Sequence, residues 1–307
     1  MSAAPLAALP PAPRAAAFRG RIGGDPRSGH HAVAHRYRLH LSTACPDGLR
    51  LAVGHSLLRL GDTCPVTFLP ALPDRPDGGH EALRPLYEAG AHHYSGPAAA
   101  PVLSDDWSGR VVSTHTPDIL RDLDRLAPDP AVRLYPRGWE STIEAVERLC
   151  ATGIEDAAQR AGRAGVRPAE RAAALDVLLG TLGRLERSLT GEEYLVDGRP
   201  TAADIELWVA LLRLDTVHRC HLDASAVHRV ADHPVLWSYA RRLAAHPAFG
   251  THLDLDGIAR RHHGHCQGLE AAGAAVQILD WAGHATEIPA PAGARDPLPA
   301  ARTRRGH

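Results

Sequence analysis

A cysteine followed by proline stands where two secondary-structure patterns of this chain meet. Over Tyr37–Leu41, apolar residues alternate with polar ones, which is the period of a half-buried strand. After Pro46, apolar residues recur at helical spacing as far as Gly61, and proline costs no hydrogen bond at the first position of a helix. The sequence therefore predicts that Cys45 lies between the end of a strand and the start of a helix.

This position suits a reactive thiol. The free N–H groups of a helix's first turn and the positive end of its dipole stabilise an anion, and the thiolate is the nucleophilic form of cysteine. The alternative is a small apolar residue packed under the helix end. We favour the reactive interpretation. Because no second cysteine follows three residues after Cys45, we expect a one-cysteine mechanism through a mixed disulfide, with Cys64 as an inert strand residue of the core.

The composition restricts the class of protein. The 307 residues carry a formal net charge of −1, which gives no indication of nucleic acid or an anionic membrane as partner. Five scattered cysteines form no disulfide framework of the secreted type. Met1–Ala17 is interrupted by prolines, unlike a signal peptide or a membrane span. We therefore expect a cytoplasmic protein with no nucleic-acid and no membrane partner.

Strand and helix patterns alternate in the first part of the chain in the order β-α-β-α-β-β-α, which is that of a thioredoxin-like sheet. In its last helix Thr116 is the expected N-cap, followed by Pro117. From Tyr135 onward only helical spacing remains. The predicted divisions are a partly disordered extension (1–32), a thioredoxin-like domain (33–126), a proline-rich linker (127–136), an all-helical domain (137–284) and a disordered tail (285–307).

Thr201 and Asp204 form the pattern of a capping box at the start of a helix in the second domain. The threonine hydroxyl accepts from the backbone N–H three residues on, and the aspartate carboxylate reaches back to the N–H of the threonine. The apolar residues that follow indicate a buried helix. We expect this pair to be structural.

Together these features resemble the glutathione S-transferases, and more narrowly the glutathionyl-hydroquinone reductases of the xi class, which is close to the omega class. The resemblance extends from Phe18 to Cys266. The matching segments are Arg36–Pro46, Leu86–Gly90, His93–Gly96, Ala100–Leu103, Pro200–Trp208, Leu211–Asp215, Asp232–Tyr239 and Ile258–Arg261. The resemblance implies the glutathione S-transferase fold, an α+β thioredoxin-like thiol-binding domain followed by an all-α acceptor-binding domain, and a homodimer.

The family resemblance also implies which residues do the chemistry. Cys45 is the expected catalytic nucleophile, which attacks the sulfur of a glutathionyl conjugate and is regenerated by a second thiol. The expected thiol-binding residues are Pro46, Pro101 (as a cis-proline), Val102, His115 and Thr116. The expected acceptor pocket takes small-molecule thiol conjugates, including those of quinones, and contains Trp208, His218, Arg219 and His262.

The active-site pattern departs from that of the family. Cys-Pro-Trp-Ala-His-Arg is usual there, whereas Cys45–Arg50 lacks the tryptophan and the histidine. His115 replaces a glutamate that holds the γ-glutamyl group of glutathione. The chain has no lysine, and a lysine-poor composition is common in proteins from GC-rich genomes such as those of actinobacteria. Many actinobacteria use mycothiol in place of glutathione. The expected co-substrate is therefore glutathione or mycothiol. The alternative is a non-catalytic carrier or interaction module that keeps this fold.

Histidines are concentrated near two of the pocket positions. His218, Cys220, His221 and the run His262–Cys266 offer metal-ligand types, but their spacing matches no common zinc pattern. The family has tyrosines at the corresponding pocket positions. We therefore expect these histidines to line the pocket and expect no bound metal.

Overall fold

The computed structural model describes residues 18–23, 29–129, 131–266 and 277–282. The predictions of disorder before residue 18 and after residue 284 concern residues outside this description. Within the described residues, no helix combines the length and the apolar character needed to cross a membrane.

A four-stranded mixed sheet forms the first part of the fold. Its strands are β1 (Tyr37–Leu41), β2 (Val66–Phe68), β3 (Val102–Asp105) and β4 (Arg110–Ser113), in the order β2-β1-β3-β4. β2 is parallel to β1, whereas β3 and β4 are antiparallel to their neighbours. The predicted alternation in β1 is observed, because Tyr37, Leu39 and Leu41 are fully buried. This arrangement confirms the predicted thioredoxin-like sheet.

The other regular elements of the described residues are helices. They are α1 (Pro46–Leu57), α2 (Arg84–Gly90), α3 (Thr116–Leu126), α4 (Glu140–Arg148), α5 (Ala157–Gly162), α6 (Pro168–Leu189), α7 (Ala202–Thr216), α8 (Ala224–Ala231), α9 (Pro234–Ala245), α10 (Pro247–Gly250) and α11 (Leu255–Cys266). A π-helical stretch joins α4 to α5, and a 3₁₀ turn, His218–His221, follows α7. The described structure after residue 135 is thus all helical, which confirms the predicted fold class.

Close packing of α1 fixes its place in the molecule. A Cβ added to Gly54 would lie 2.7 Å from Leu120 in α3, 3.2 Å from Leu134 and 3.6 Å from Ile205 in α7. Because a side chain at this position has no room, glycine lets α1 pack directly against both neighbouring helices. α7 is itself buried on nearly every side, as expected for a core helix. The helix that begins after Cys45 is therefore held by both parts of the fold.

The predicted end of α1 is wrong by a few residues. The helix ends at Leu57 rather than near Gly61. Arg59 has a φ of 53°, in the left-handed region, so the chain turns there, and Leu60 enters the core from the turn. Cys64 lies in the turn before β2 rather than within a strand, although it is fully buried as expected.

The two predicted helix starts differ in outcome. At α7 the capping box of Thr201 and Asp204 is present, with the Thr201 N–H donating to Asp204 Oδ2 at 2.8 Å. At α3 the N-cap is His115, so the prediction of Thr116 is wrong by one position. The His115 side chain makes no cap hydrogen bond, and Thr116 is the first helical residue. Pro117 suits the first turn of a helix whether Thr116 or His115 is the N-cap, so the sequence pattern does not distinguish the two positions.

Candidate active site

Three segments meet at one edge of the sheet. Cys45 follows β1 in the turn that leads into α1. β3 begins with Val102, which pairs with His40 near the end of β1. β4 ends with Ser113, which pairs with Leu103 near the start of β3, and α3 follows directly. The register therefore places the cysteine turn, the start of β3 and the start of α3 side by side.

The turn that carries Cys45 is tightly packed. Cys45 is the N-cap of α1, with φ −92° and ψ 133°, and its N–H donates to the Ser42 carbonyl at 3.1 Å. A Cβ added to Gly48 would lie 2.1 Å from that same carbonyl oxygen. Cys45 is 8% exposed and borders a cavity. The thiol is thus held in a defined position with one open side.

A cavity of about 380 Å³ opens beside the thiol. This volume suits a small organic ligand. The lining residues on the thiol side are Thr43, Ala44, Cys45, Pro46 and Leu49. Those from the helical part are Gln159, Leu212, Arg213, Val217, His218, Ile258, Arg261, His262 and Cys266. A molecule in the cavity would contact the thiol on one side and arginine and histidine side chains on the other.

His218 is one of the predicted pocket residues that lines this cavity. Burial lowers the pKa of His218 to about 3, with a further contribution from the charge of Arg213, so the ring is neutral at neutral pH. Its Nε2 is buried and has no hydrogen-bond partner in the described structure. A neutral imidazole with one uncommitted nitrogen suits a hydrogen bond to a phenolic hydroxyl.

An ion-pair network connects α1 to the cavity wall. Arg50 in α1 contacts Glu206 Oε2 at 2.7 Å and Glu155 Oε1 at 2.8 Å. Glu155 Oε2 also contacts Arg213, whose side chain lines the cavity, at 2.8 Å. Burial raises the pKa of Glu206 to about 7, although the Arg50 guanidinium opposes this change. The network joins the cysteine helix to α7 and holds Arg213 in the cavity wall.

Near the start of α3, Asp118 pairs with Arg19 and Arg21, and Asp122 pairs with Arg21. His115 Nδ1 lies 3.1 Å from Asp118 Oδ2, which also pairs with Arg19 at 2.7 Å. Arg21 contacts the other oxygen of Asp118 at 3.2 Å. Burial opposes ionisation of Asp118, but the hydrogen bond from Arg19 and the neighbouring charges outweigh it and lower the pKa of Asp118. The carboxylate nearest to His115 is therefore already paired with two arginines.

Of the five predicted thiol-binding residues, only Pro46 is among the described lining residues of the cavity, and the other four lie at the edge of the sheet. The Ala100–Pro101 peptide bond is cis, as predicted. The side chain of Val102 is fully buried, so a ligand could reach only its backbone. Pro46 lines the cavity, whereas Pro101, Val102, His115 and Thr116 are not among its described lining residues. Their role in binding a thiol stays a prediction.

Two predicted pocket residues belong to the core instead. Trp208 is fully buried, and its Nε1–H donates to the Ala240 carbonyl at 3.2 Å while the ring packs against Phe249 and Trp281. α7 lines the cavity through Leu212 and Arg213, and Trp208 is not among the described lining residues. Its assignment to the acceptor pocket is wrong.

Arg219 is the second predicted pocket residue that lies in the core. It is 4% exposed, and its Nε donates to the Asp215 carbonyl at 2.7 Å and lies 3.1 Å from the Asp215 carboxylate. The same carboxylate accepts from Ile278 N–H and from the Trp281 indole, both at 2.8 Å. Arg219 thus belongs to a buried polar cluster that holds the segment 277–282, and it does not line the cavity.

The structure also brings together three residues that the sequence offered as metal-ligand types at separate positions. One ligand atom of each of His221, His262 and Cys266 lies within 4.8 Å of the others. Arg213, Gln159 and Arg261 line the cavity although no motif indicated them. His221, His262 and Cys266 were recognised in the sequence as metal-ligand types, and the spacing of His262 and Cys266 places both on one face of a helix.

Comparison with known proteins agrees with this fold. Residues 168–242 match the family model of the glutathione S-transferase C-terminal domain. The chain is 28% identical over 266 residues to the glutathionyl-hydroquinone reductase PcpF of Sphingobium chlorophenolicum, covering 81% of this chain and 80% of that protein. It is also 28% identical over 274 residues to the glutathionyl-hydroquinone reductase YqjG of Escherichia coli, covering 81% and 82%.

Solved structures give the same result. The xi glutathione S-transferase of Phanerochaete chrysosporium superposes with a TM-score of 0.69 at 25% identity, over 84% of this chain and 89% of that one. The glutathione-bound structure of E. coli YqjG has a TM-score of 0.69 at 25% identity, over 82% and 89%. The fold is that of the glutathione S-transferase superfamily. Within it, the chain is similar to the xi class and the glutathionyl-hydroquinone reductases, which confirms the resemblance inferred from the sequence.

Proposed function

We propose that this protein is a cysteine-dependent thiol transferase and reductase acting on S-glutathionyl or S-mycothiol conjugates, such as glutathionyl-hydroquinones. The observation that carries the proposal is the position of Cys45, held as the N-cap of α1 and bordering a ligand-sized cavity. The names of two relatives, both glutathionyl-hydroquinone reductases, support this class of substrate. The glutathione bound to YqjG supports a small thiol as co-substrate.

The first step is attack by the Cys45 thiolate on the sulfur of the conjugate. A sulfur–sulfur bond forms and the bond between that sulfur and the aromatic carbon breaks. The aromatic carbon keeps the bonding electron pair and takes up a proton. The aromatic product then leaves as the reduced hydroquinone. Cys45 is left in a mixed disulfide with the small thiol.

The second step regenerates the enzyme. A second molecule of the small thiol, as its thiolate, attacks the small-thiol sulfur of the mixed disulfide. The disulfide of the small thiol leaves, and Cys45 returns as thiolate. The two electrons that reduce the aromatic ring therefore come from two molecules of the small thiol, and no metal or further redox group enters the balance.

The cavity provides the acceptor site in this proposal. His218 is neutral and has an uncommitted ring nitrogen, which suits a hydrogen bond to a hydroquinone hydroxyl. Arg213 and Arg261 supply positive charge in the same wall. His262 lies in the wall as well, as the sequence predicted.

The small thiol in this proposal is glutathione or mycothiol, bound at the sheet edge by Pro46, Pro101, Val102, His115 and Thr116. His115 stands where the family has a glutamate, and Asp118 beside it is paired with Arg19 and Arg21. An ammonium group such as that of the γ-glutamyl part would find the Asp118 carboxylate already paired with arginine. Mycothiol lacks that ammonium, so this arrangement favours mycothiol. A homodimer and a cytoplasmic location complete the proposal.

Turnover of a glutathionyl-hydroquinone tests the function. The protein is mixed with the conjugate and either glutathione or mycothiol, and the hydroquinone and the thiol disulfide are quantified together. We expect equal amounts of both products from the wild type and none from Cys45→Ser. Cys220→Ser, which changes a cysteine outside the described cavity lining, should keep full activity. Release of hydroquinone by Cys45→Ser would contradict the mechanism.

A carrier without catalysis is the second candidate. The departures from the family pattern favour it, since the tryptophan after Cys45-Pro46 is missing and His115 replaces the glutamate. A carrier would bind a thiol conjugate in the cavity and leave it intact. Mass spectrometry of the ligand recovered after incubation separates the two functions. An intact conjugate at stoichiometric occupancy, with no hydroquinone, supports the carrier.

A further inference from the structure

Three metal-ligand side chains converge next to the cavity, and two of them, His262 and Cys266, line it. His221 comes from the 3₁₀ turn after α7, and His262 and Cys266 come from α11. The two histidine Nε2 atoms lie 2.7 Å apart, and the Cys266 sulfur completes a group whose ligand atoms are all within 4.8 Å of one another. Each of the three is partly buried. Two imidazoles and a thiol in this arrangement form a donor set typical of zinc.

The positions of these groups are fixed by the fold. His262 and Cys266 are separated by one helical turn, so both project from the same face of α11. A Cβ added to Gly162 in α5 would lie 2.8 Å from the Cβ of His221, so the two backbones are in direct contact there. Arg261 anchors α11 through a hydrogen bond to the Ala71 carbonyl at 3.2 Å. The convergence is therefore a consequence of packing between three elements.

We propose that His221, His262 and Cys266 bind one divalent cation of the zinc type. Tetrahedral Zn²⁺, at about 2.0–2.1 Å from nitrogen and about 2.3 Å from sulfur, separates its ligand atoms by roughly 3.3–3.6 Å. The present separations of 2.7 Å and at most 4.8 Å bracket that range. Side-chain adjustments on the order of 1 Å would bring all three atoms to the metal. This proposal departs from the sequence-based expectation that these histidines only line the pocket.

The site has three protein ligands and access to the cavity. His262 and Cys266 line the same cavity as Cys45. Zinc sites with three protein ligands keep a fourth position for water or an exogenous ligand, whereas structural sites have four protein ligands. Solvent or a small thiolate can reach the fourth position through the cavity. The site is thus of the open type.

Zinc titration of the metal-free full chain tests the proposal without substrate, so its result is independent of the proposed turnover. We expect one Zn²⁺ per chain by calorimetry. Loss of an outer-shell partner of a metal ligand weakens metal binding about 10- to 100-fold. Cys266→Ser and His262→Ala each remove a ligand itself, so each should weaken zinc binding by more than that. His263→Ala is the matched control, because this neighbouring histidine is exposed and outside the cluster. Cys45→Ser should also bind zinc as the wild type does.

Cobalt provides a second readout that a merely structural effect would not produce. Co²⁺ in the site should give a thiolate-to-metal charge-transfer band, which disappears in Cys266→Ser and persists in His263→Ala. Far-UV circular dichroism checks that each variant is folded, and the conservative serine variant at a partly buried position preserves side-chain size. Absence of the band in the wild type, or zinc affinity unchanged by both His262→Ala and Cys266→Ser, would overturn the site and leave a hydrogen bond between two imidazoles.

Discussion

Arg50 Nε lies 2.7 Å from Glu206 Oε2, and this ion pair joins the helix that begins after the candidate nucleophile to the central helix of the all-helical part. Arg50 is 8% exposed and also contacts Glu155 and Asp47. An arginine matches several carboxylates at once because its guanidinium carries five N–H donors. The pair therefore fixes how the thiol is placed against the cavity wall.

Replacing Arg50 by methionine should destabilise the protein by about 3 kcal/mol, because the change leaves buried carboxylates without their cation. Protonation of Glu206, whose pKa is already about 7, limits the loss. Denaturant unfolding gives the free energy. Arg160→Met is the control, since that arginine forms an exposed pair with Asp156 and should change stability little. Equal losses in the two variants would contradict a structural role for the network.

The stability of the protein should fall as pH rises through the range in which Glu206 ionises. Burial raises the pKa of Glu206 from 4.5 to about 7, so the folded state keeps this proton longer than the unfolded state does. Its contribution is therefore complete below about pH 4.5 and is lost as pH rises to about 7. Thermal melts at a series of pH values should show this decline in the wild type and a flatter profile in Glu206→Gln. Parallel profiles would show that another group is responsible.

Thiol-labelling reagents should distinguish Cys45 from the core cysteines. Burial raises the pKa of Cys64 to about 12 and raises the pKa of Cys150 well above its usual value. Both side chains are fully buried, whereas Cys45 borders the cavity. Peptide mapping after brief labelling at neutral pH should find Cys45 modified and the other two protected until denaturant is added. Labelling of Cys64 in the folded protein at the rate of Cys45 would contradict the packing described.

His115→Glu should increase the affinity for glutathione. A carboxylate at this position can accept from the γ-glutamyl ammonium, and a charge-assisted hydrogen bond is worth about 1.5–3 kcal/mol, or roughly ten- to a hundredfold in binding. Arg19 and Arg21 offset the proximity of Asp118 to the new charge. Calorimetry compares the variant with His115→Gln, which removes the imidazole without adding charge. Tight binding by the wild type that weakens in His115→Glu would make His115 itself the ligand-holding residue.

The parts of the fold governed by local patterns could be predicted from the sequence. Alternating burial in β1, the capping box of Thr201 and Asp204, and the place of Cys45 before α1 depend on residues close together in the chain. The thioredoxin-like class of the sheet followed from the order of strands and helices along the chain, because few arrangements of that order form a sheet. The xi-class resemblance was confirmed by relatives across the chain.

Contacts between distant segments could not be predicted in this way. Trp208 matched a family segment, but only the packing of α7 against Phe249 and Trp281 shows that its ring is in the core. The contact of His221 with His262 depends on how α11 packs against the turn after α7. The periodicity of apolar residues in the sequence does not predict that packing. Side chains that line a cavity from separate helices are far apart in the chain, so no regular spacing in the sequence identifies them.

The most direct test of the central claim is intact-protein mass spectrometry after incubation with oxidised glutathione or oxidised mycothiol. The account predicts one thiol adduct per chain, mapped to Cys45 and released by reductant. Cys45→Ser should be folded and form no adduct, and Cys220→Ser should form it as the wild type does. An adduct on Cys45→Ser, or mapping of the wild-type adduct to another cysteine, would contradict the assignment of Cys45 as the nucleophile.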